Sequence, residues 1–463
     1  MSTSDARDGQ ANSLIYLSLI LGGVVALTFL KEIFGGDPLD SMVIQSFEHV
    51  FALDAAADSW APMYLAALEK INNPDVGIYQ TIFFENHVKF QYPPISLLPF
   101  MVFVWLDITY ESIVYYLNLV SLVSIVGIAV CLYVLAIKVA EQFNGRVAHS
   151  IGVKIVFFLL MLIGTFSFYP LLRGYELGQI QTLLDFLISL AFVAWLINGK
   201  LFAGVLIALA TLVKPHFGLL IIWAMIRKEG RFCVGMLLVL IPAGIVSLLV
   251  FGFREHLDYL SVLSHIGKHG EVYWPNQSIN GLLNRLFSDI NPLVWMAESY
   301  APYNSYVRFG TLISTIGFLL FGLLYRQRNA ANNPVLSALD LSMMIILLTI
   351  ASPIAWEHHY GAIWPVIILV LSAAINLAKT APNWTVKLCL ALAVLGYYLD
   401  ANLFQFVTQE NFITAPVNLI QSYFFYGALL LLASVIILRK QLKSLYDPVR
   451  MGENDNKSVH KPA

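Results

Sequence analysis

The sequence predicts an all-α polytopic integral membrane protein, and three observations carry that expectation. Hydrophobic residues make up 58% of the 463-residue chain and charged residues only 12%, about half the share that a soluble fold of this size carries. Mean hydropathy is +0.73. Apolar runs near the roughly 20 residues that cross ~30 Å of hydrocarbon recur along the chain. Lipid offers no partner to backbone N–H and C=O groups, so such runs must be helices. The alternating ~10-residue segments of a membrane β-barrel do not occur.

Taken in order, the runs are 14–34, 112–137, 151–169, 178–197, 200–213, 216–227, 232–253, 305–325, 337–352, 359–378, 385–399 and 418–438, about twelve transmembrane helices in all. The first reads as a retained helix: it is long for a signal-peptide core, and Lys31-Glu32 follows it where small residues would mark a cleavage site. The fifth and sixth are short and parted only by Lys214-Pro215, which suits tilted or broken helices. The apolar stretch 94–106 has a re-entrant or interfacial length and stays outside the count. A single transmembrane domain over 1–446 is expected, with a disordered cytoplasmic tail at 447–463.

Lys and Arg orient the chain. Lys138, Arg146, Lys154, Arg227, Lys228, Arg231, Arg326, Arg328, Arg439 and Lys440 collect on one side with both termini, the cytoplasmic face of an inner (plasma) membrane. The polar stretches with unusual composition then fall on the opposite face. They are the first loop at 35–93, which should carry amphipathic helices, the loop beginning at Arg173, the turn Lys214-Pro215-His216, a second large loop at 254–303, and SPIAWEHHY from Ser352. A site opening on the non-cytoplasmic face is the natural inference.

Each stretch admits a structural and a functional reading. In the first loop, Met63, Leu65, Ala66, Ala67, Leu68 and Ile71 suggest an amphipathic helix on the membrane surface. Asp58, just ahead of it, is either a helix cap or a carboxylate offered to water. Tyr92-Pro93-Pro94 can open a helix but cannot sit inside one. Gln179 and Gln181 open a span; their amides can bond hydroxyl-rich ligands or neighbouring helices. Lys214 is a snorkelling lysine or a point charge for a phosphate oxygen. Trp274, Asn276, Gln277, Ser278 and Asn280 mix aromatic and amide groups in a manner that suits carbohydrate, and equally an interfacial belt. Around Trp356, the run Glu357-His358-His359 invites a metal. Adjacent residues on a helix diverge, however, and no other cluster completes a tetrahedral set, so imidazoles that bind phosphate or move a proton are favoured.

Net charge is −2, so no nucleic-acid partner is expected. The cysteines, Cys131, Cys233 and Cys389, lie in apolar runs without ligand spacing and read as core residues.

The order of an aspartate in the first loop, then YPP, GQ, KP, NQSINGLLNR and SPIAWEHHY resembles glycosyltransferase family 87, the polyprenyl-phosphate-mannose-dependent mannosyltransferases of the GT-C superfamily. The resemblance implies a GT-C fold and a hexosyltransferase that takes a sugar, expected to be mannose, from a polyprenyl-phosphate donor in the bilayer. The acceptor would be a glycan or glycolipid outside the cytoplasm, with arabinose or another sugar left open. It implies an inverting displacement with Asp58 as base; Asp54 stays beside it, because Asp58 stands slightly farther from Tyr64 than in the family pattern. Donor and acceptor would be bound by Tyr64, Tyr92, Arg173, Gln179, Lys214, His216, Asn276, Gln277, Trp356, His358 and His359. No cofactor or metal is expected, since no DxD motif occurs. Two rivals are a transporter or flippase of a lipid-linked substrate, which would show repeats and mid-span ionisable residues, and a lipid-linked glycan ligase with a longer loop.

Overall fold

The computed structural model describes residues 3–34, 48–145, 150–325 and 333–445. The tail at 447–463 and the first part of the 35–93 loop lie outside them. The described residues are helical and irregular, with one isolated β-bridge between Asn276 and Trp356. Helices of eight residues or more are numbered α1 Thr3–Phe34, α2 Trp60–Asn72, α3 Leu98–Trp105, α4 Tyr110–Asn144, α5 Ile151–Phe166, α6 Tyr169–Glu176, α7 Gln181–Leu196, α8 Lys200–Thr211, α9 Leu219–Arg227, α10 Gly230–His269, α11 Ile279–Phe287, α12 Ser305–Leu324, α13 Pro334–Ala351, α14 Trp364–Thr380, α15 Trp384–Asp400 and α16 Tyr423–Leu445.

Every apolar run read from the sequence holds a helix. Among the described residues seven helices are long and apolar enough to cross a membrane, or eight if α5 and α6, bent by 57° at their junction, form one broken span. The chain is an all-α polytopic membrane protein. Capping follows local chemistry: Thr109, Ser150, Ser278, Asn304, Asn333 and Asn383 each accept a backbone N–H at a helix start, satisfying donors that the helix leaves orphaned.

The helices sort by what covers them. α13 and the segment Glu357–Thr380 are 94% buried within their apolar windows, whereas α10 and α12 are 22% and 17% buried. The first pair forms the centre and the second presents apolar side chains outward, as lipid-facing helices do. Lipid is as apolar as leucine, so close packing substitutes for hydrophobic drive. At the α8–α10 crossing, Gly204 and Gly235 let backbones touch: a Cβ on Gly204 would lie 2.2 Å from the Phe232 carbonyl oxygen, and one on Gly235 2.0 Å from that of Leu201. A buried ionic knot ties α9, α13 and α16, with Asp340 between Arg227 (2.7 Å) and Arg439 (2.8 Å).

Three expectations change. The loop beginning at Arg173 is instead the last turn of the buried helix α6. Much of 254–303 is also helical, because α10 continues past a break at Gly252 (φ 76°) to His269, and α11 follows. The α10 extension returns apolar area to the protein: Tyr259, Val262 and Ile266 join Trp60, Met63, Tyr79 and Phe90 in a second core beneath the polar loops. Finally, α2 packs its Trp60–Met63–Ala66–Ala67 face inward, leaving Leu65 and Ile71 exposed. Part of the apolar face expected to rest on lipid is therefore covered by protein, and Leu65 and Ile71 stay open. Glu255 accepts the Ile78 N–H and lies 3.8 Å from Lys70, anchoring this first loop to α10.

Candidate active site

Asp58 is held by a backbone clamp. Ala56, Asp58 and Ser59 donate their N–H groups to the carbonyls of Glu176 (2.9 Å), Leu177 (2.9 Å) and Gly178 (3.2 Å), docking the first loop on the α6–α7 turn. Gly178 has φ +64°, and a Cβ there would lie 1.8 Å from the Ala56 carbonyl oxygen, so both backbone conformation and space demand glycine. The next residue makes the functional contact: Gln179 Nε2 donates to Asp58 Oδ2. Ser59 Oγ donates to Gln179 Oε1 at 2.7 Å, accepts the Ile180 N–H at 3.1 Å, and stands 2.8 Å from the Tyr92 hydroxyl. The Gln179 amide therefore has one orientation, with its N–H on the carboxylate.

The capping reading of Asp58 fails, because Ser59 is the N-cap of α2 and no side chain caps it. Asp58 has an exposed surface, yet protein packs densely enough around it that burial raises its carboxyl above the ordinary 3.8, opposed by the Gln179 hydrogen bond and the charges of Arg173 and Lys89. Both observations describe a carboxylate that protein surrounds on most sides and that keeps one face open to solvent. Asp54 is exposed and takes no part in this cluster; its backbone carbonyl meets His49 Nδ1 at 2.7 Å.

Lys214 lies in the turn after α8. Together with Gln181, His216, Phe217, Thr349, Ser352 and His359 it lines a small cleft. Its ammonium makes no hydrogen bond or ion pair among the described residues. Burial pulls its ammonium down to about 7, with the nearby Asp185 carboxyl opposing. An anion entering the cleft would restore that charge. His358 and His359 meet edge to face at 4.7 Å; His358 is buried with Nδ1 unpartnered, and His359 reaches the cleft. Gln181, two residues past Gln179, joins the two centres.

Arg173 is less free than expected. Its guanidinium meets Glu176 at 3.0 Å and Glu357 at 3.2 Å, and Glu357 also accepts from the Tyr169 hydroxyl at 2.9 Å. Its positive charge is already compensated, which leaves Lys214 as the unpaired cation of the group.

Asn276 and Gln277 are corrected from ligand contacts to scaffold. Both are fully buried. Asn276 donates to the Glu271 carbonyl and accepts from the Ala355 N–H and Ser278 Oγ, while Gln277 donates to the carbonyls of Trp274 and Gln421 and accepts the Phe424 N–H. Arg285, likewise buried, donates to Trp274, Asn276 and Ser422. Their bonds fix the bridge that presents Trp356. Tyr64 is also elsewhere, against Tyr110 at 5.0 Å, whereas Tyr92 joins the Asp58 cluster. Sequence reasoning missed Ser59, Lys89 and Glu357. Ser59 adjoins Asp58 and Glu357 lies inside a singled-out motif; Lys89 gave no signal, because its partners are distant in the chain.

Among the described residues no group of three or more His, Cys, Asp or Glu is arranged to hold a metal ion. No curated protein and no solved structure matches the chain. The family model described as glycosyltransferase family 87 matches residues 90–353, starting beyond Asp58 and ending just short of Trp356. That match spans more than half of the chain and takes in Tyr92, the Gly178-Gln179 turn, Lys214 and the Asn276–Arg285 scaffold. The chain belongs to glycosyltransferase family 87 and is a membrane glycosyltransferase.

Proposed function

We propose that the enzyme transfers a hexose, mannose by its family resemblance, from a polyprenyl-phosphate donor to a hydroxyl of a glycan or glycolipid acceptor. The reaction takes place on the non-cytoplasmic face of the inner (plasma) membrane, with both termini cytoplasmic. In the proposed step Asp58 takes the proton of the acceptor hydroxyl as its oxygen attacks C1 of the sugar. The C1–O bond to phosphate breaks on the opposite side, inverting the anomeric centre, and polyprenyl phosphate leaves with the electron pair. The leaving group is already anionic, so it needs cations and donors more than a strong acid. Lys214 supplies the charge, and His216, His358 and His359 supply N–H donors. Arg173, through Glu357, positions the histidine segment. Gln179 orients the base.

The observation that carries this reading is an accessible carboxylate held by Gln179, whose near neighbour in the chain, Gln181, lines the cleft of an unpaired ammonium. The test is sugar transfer from polyprenyl-phosphate-mannose in membranes carrying Asp58→Asn. Turnover should fall by about 10²–10⁴-fold, and chelators should leave the unmutated enzyme unaffected, since no metal takes part. Undiminished turnover would remove Asp58 from the role. Vesicle uptake of a lipid-linked substrate without transfer would favour the transporter reading.

A further inference from the structure

The segment 288–304 contains no helix, yet it is fixed in place. Lys89 Nζ donates to Glu271 Oε1 (2.6 Å) and to the Met296 carbonyl (2.8 Å), and it sits 3.9 Å above the Trp295 ring and 4.5 Å above that of Tyr300. Gln91 Nε2 donates to the Tyr300 hydroxyl at 2.8 Å. Glu271 is fully buried, so the salt bridge is shielded from water and can brace the loop. Trp295 remains 43% exposed. It packs edge to face on Trp356 (5.4 Å), and Tyr273 touches both rings, at 5.5 Å from Trp295 and 6.4 Å from Trp356.

This cluster lies near Asp58, whose carboxyl feels the Lys89 charge. Tyr92, bonded to Ser59, is three residues past Lys89, at most about 10 Å of extended chain. Trp356, Tyr92 and Ala57 pack on one apolar cluster. Membrane-belt aromatics sit at headgroup level; these rings pack on one another, and Trp295 also lies against the paired Lys89. A rigid, half-exposed aromatic surface with polar groups at its rim matches an amphipathic sugar ring, whose C–H groups meet the electron-rich ring faces while its hydroxyls reach water or polar neighbours.

We infer that Trp295, Trp356 and Tyr273, braced by the Lys89–Glu271 pair, form a stacking platform for a pyranose ring of the acceptor. The assignment to the acceptor rests on the proposed function; the binding of a sugar does not. The Lys214 cleft is taken by the donor phosphate in the proposed function, which leaves this loop-built surface to the soluble glycan portion of the partner.

The test uses the full chain in lipid nanodiscs, titrated with a linear mannose tetrasaccharide and followed by tryptophan fluorescence. Trp295→Ala should weaken binding about tenfold or more, Trp295→Phe should recover most of it, and Trp105→Ala, a ring 81% exposed at the end of α3, should bind as the unmutated protein does. In transfer assays Trp295→Ala should raise the acceptor KM and leave the donor KM unchanged. Equal binding by Trp295→Ala and the unmutated chain, or no binding by either, overturns the platform whether or not transfer occurs. Tetrasaccharide binding that depends on Trp295, in a protein showing no transfer from any polyprenyl-phosphate sugar, leaves the platform standing and removes the proposed function instead.

Discussion

Two clusters of polar side chains stand close together in this protein, and they treat their hydrogen bonds in opposite ways. In the Asn276–Arg285 cluster every residue is buried and the amides of Asn276 and Gln277 are saturated by backbone groups. In the Asp58 cluster one amide clamps one carboxylate, and the carboxylate keeps an exposed face. Both consist of the residue types that bind sugars. Saturation marks a scaffold, because a buried polar group must find all its partners within the fold; spare bonding capacity at an accessible surface marks a site. Composition alone does not separate the two.

That contrast can be broken by substitution. The largest effect is expected for Arg285→Ala, which strips donors from the Trp274 and Asn276 carbonyls and from Ser422 and leaves a cavity; stability should fall by about 3 kcal/mol or more, read as a lower unfolding temperature in detergent. Gly178→Ala should come next, forcing a Cβ into the Ala56 carbonyl and costing about 2 kcal/mol in loop docking. Transfer should collapse because the carboxylate is displaced, and protease cleavage of the first loop should accelerate; normal turnover would show that the clamp is dispensable. Asn276→Ala, leaving partners unsatisfied, should cost about 1–3 kcal/mol while changing KM for neither substrate, and a selective KM effect would return Asn276 to the binding surface.

Gln179→Leu should do the reverse, with little loss of stability and a change in pH dependence. Asp58 acts as a base only when ionised, so turnover falls as pH drops through its folded-state pKa. Gln179 stabilises the anion and opposes the upward pull of burial. Without the amide that pKa rises, and the acid limb of the kcat/KM profile should move to higher pH. An unmoved limb would mean that Gln179 does not touch the working carboxylate.

Much of the architecture was legible because its causes are local. Apolar length gives spans, and capping residues give helix starts. One extension escaped detection: Gly252 and Arg254 look like the end of a span, yet α10 resumes beyond the break because Tyr259 and Ile266 have a core to enter. The candidate site was legible in part. Asp58, Tyr92 and Gln179 stood out by type and converge, while Asn276 and Gln277 stood out equally and do not. Lys89 carried no mark, since its importance lies in Glu271, Trp295 and Tyr300, some two hundred residues away.

The sequence by itself determined that this chain is a helical membrane protein and, through motif order, which family it resembles, because hydropathy and residue identity are properties of the chain. Tertiary structure alone decided that Gln179 orients Asp58, that Lys214 is unpaired while Arg173 is not, and that the NQS segment supports Trp356. Whether a polar group is spent or available depends on partners brought from distant segments, and only folding brings them together.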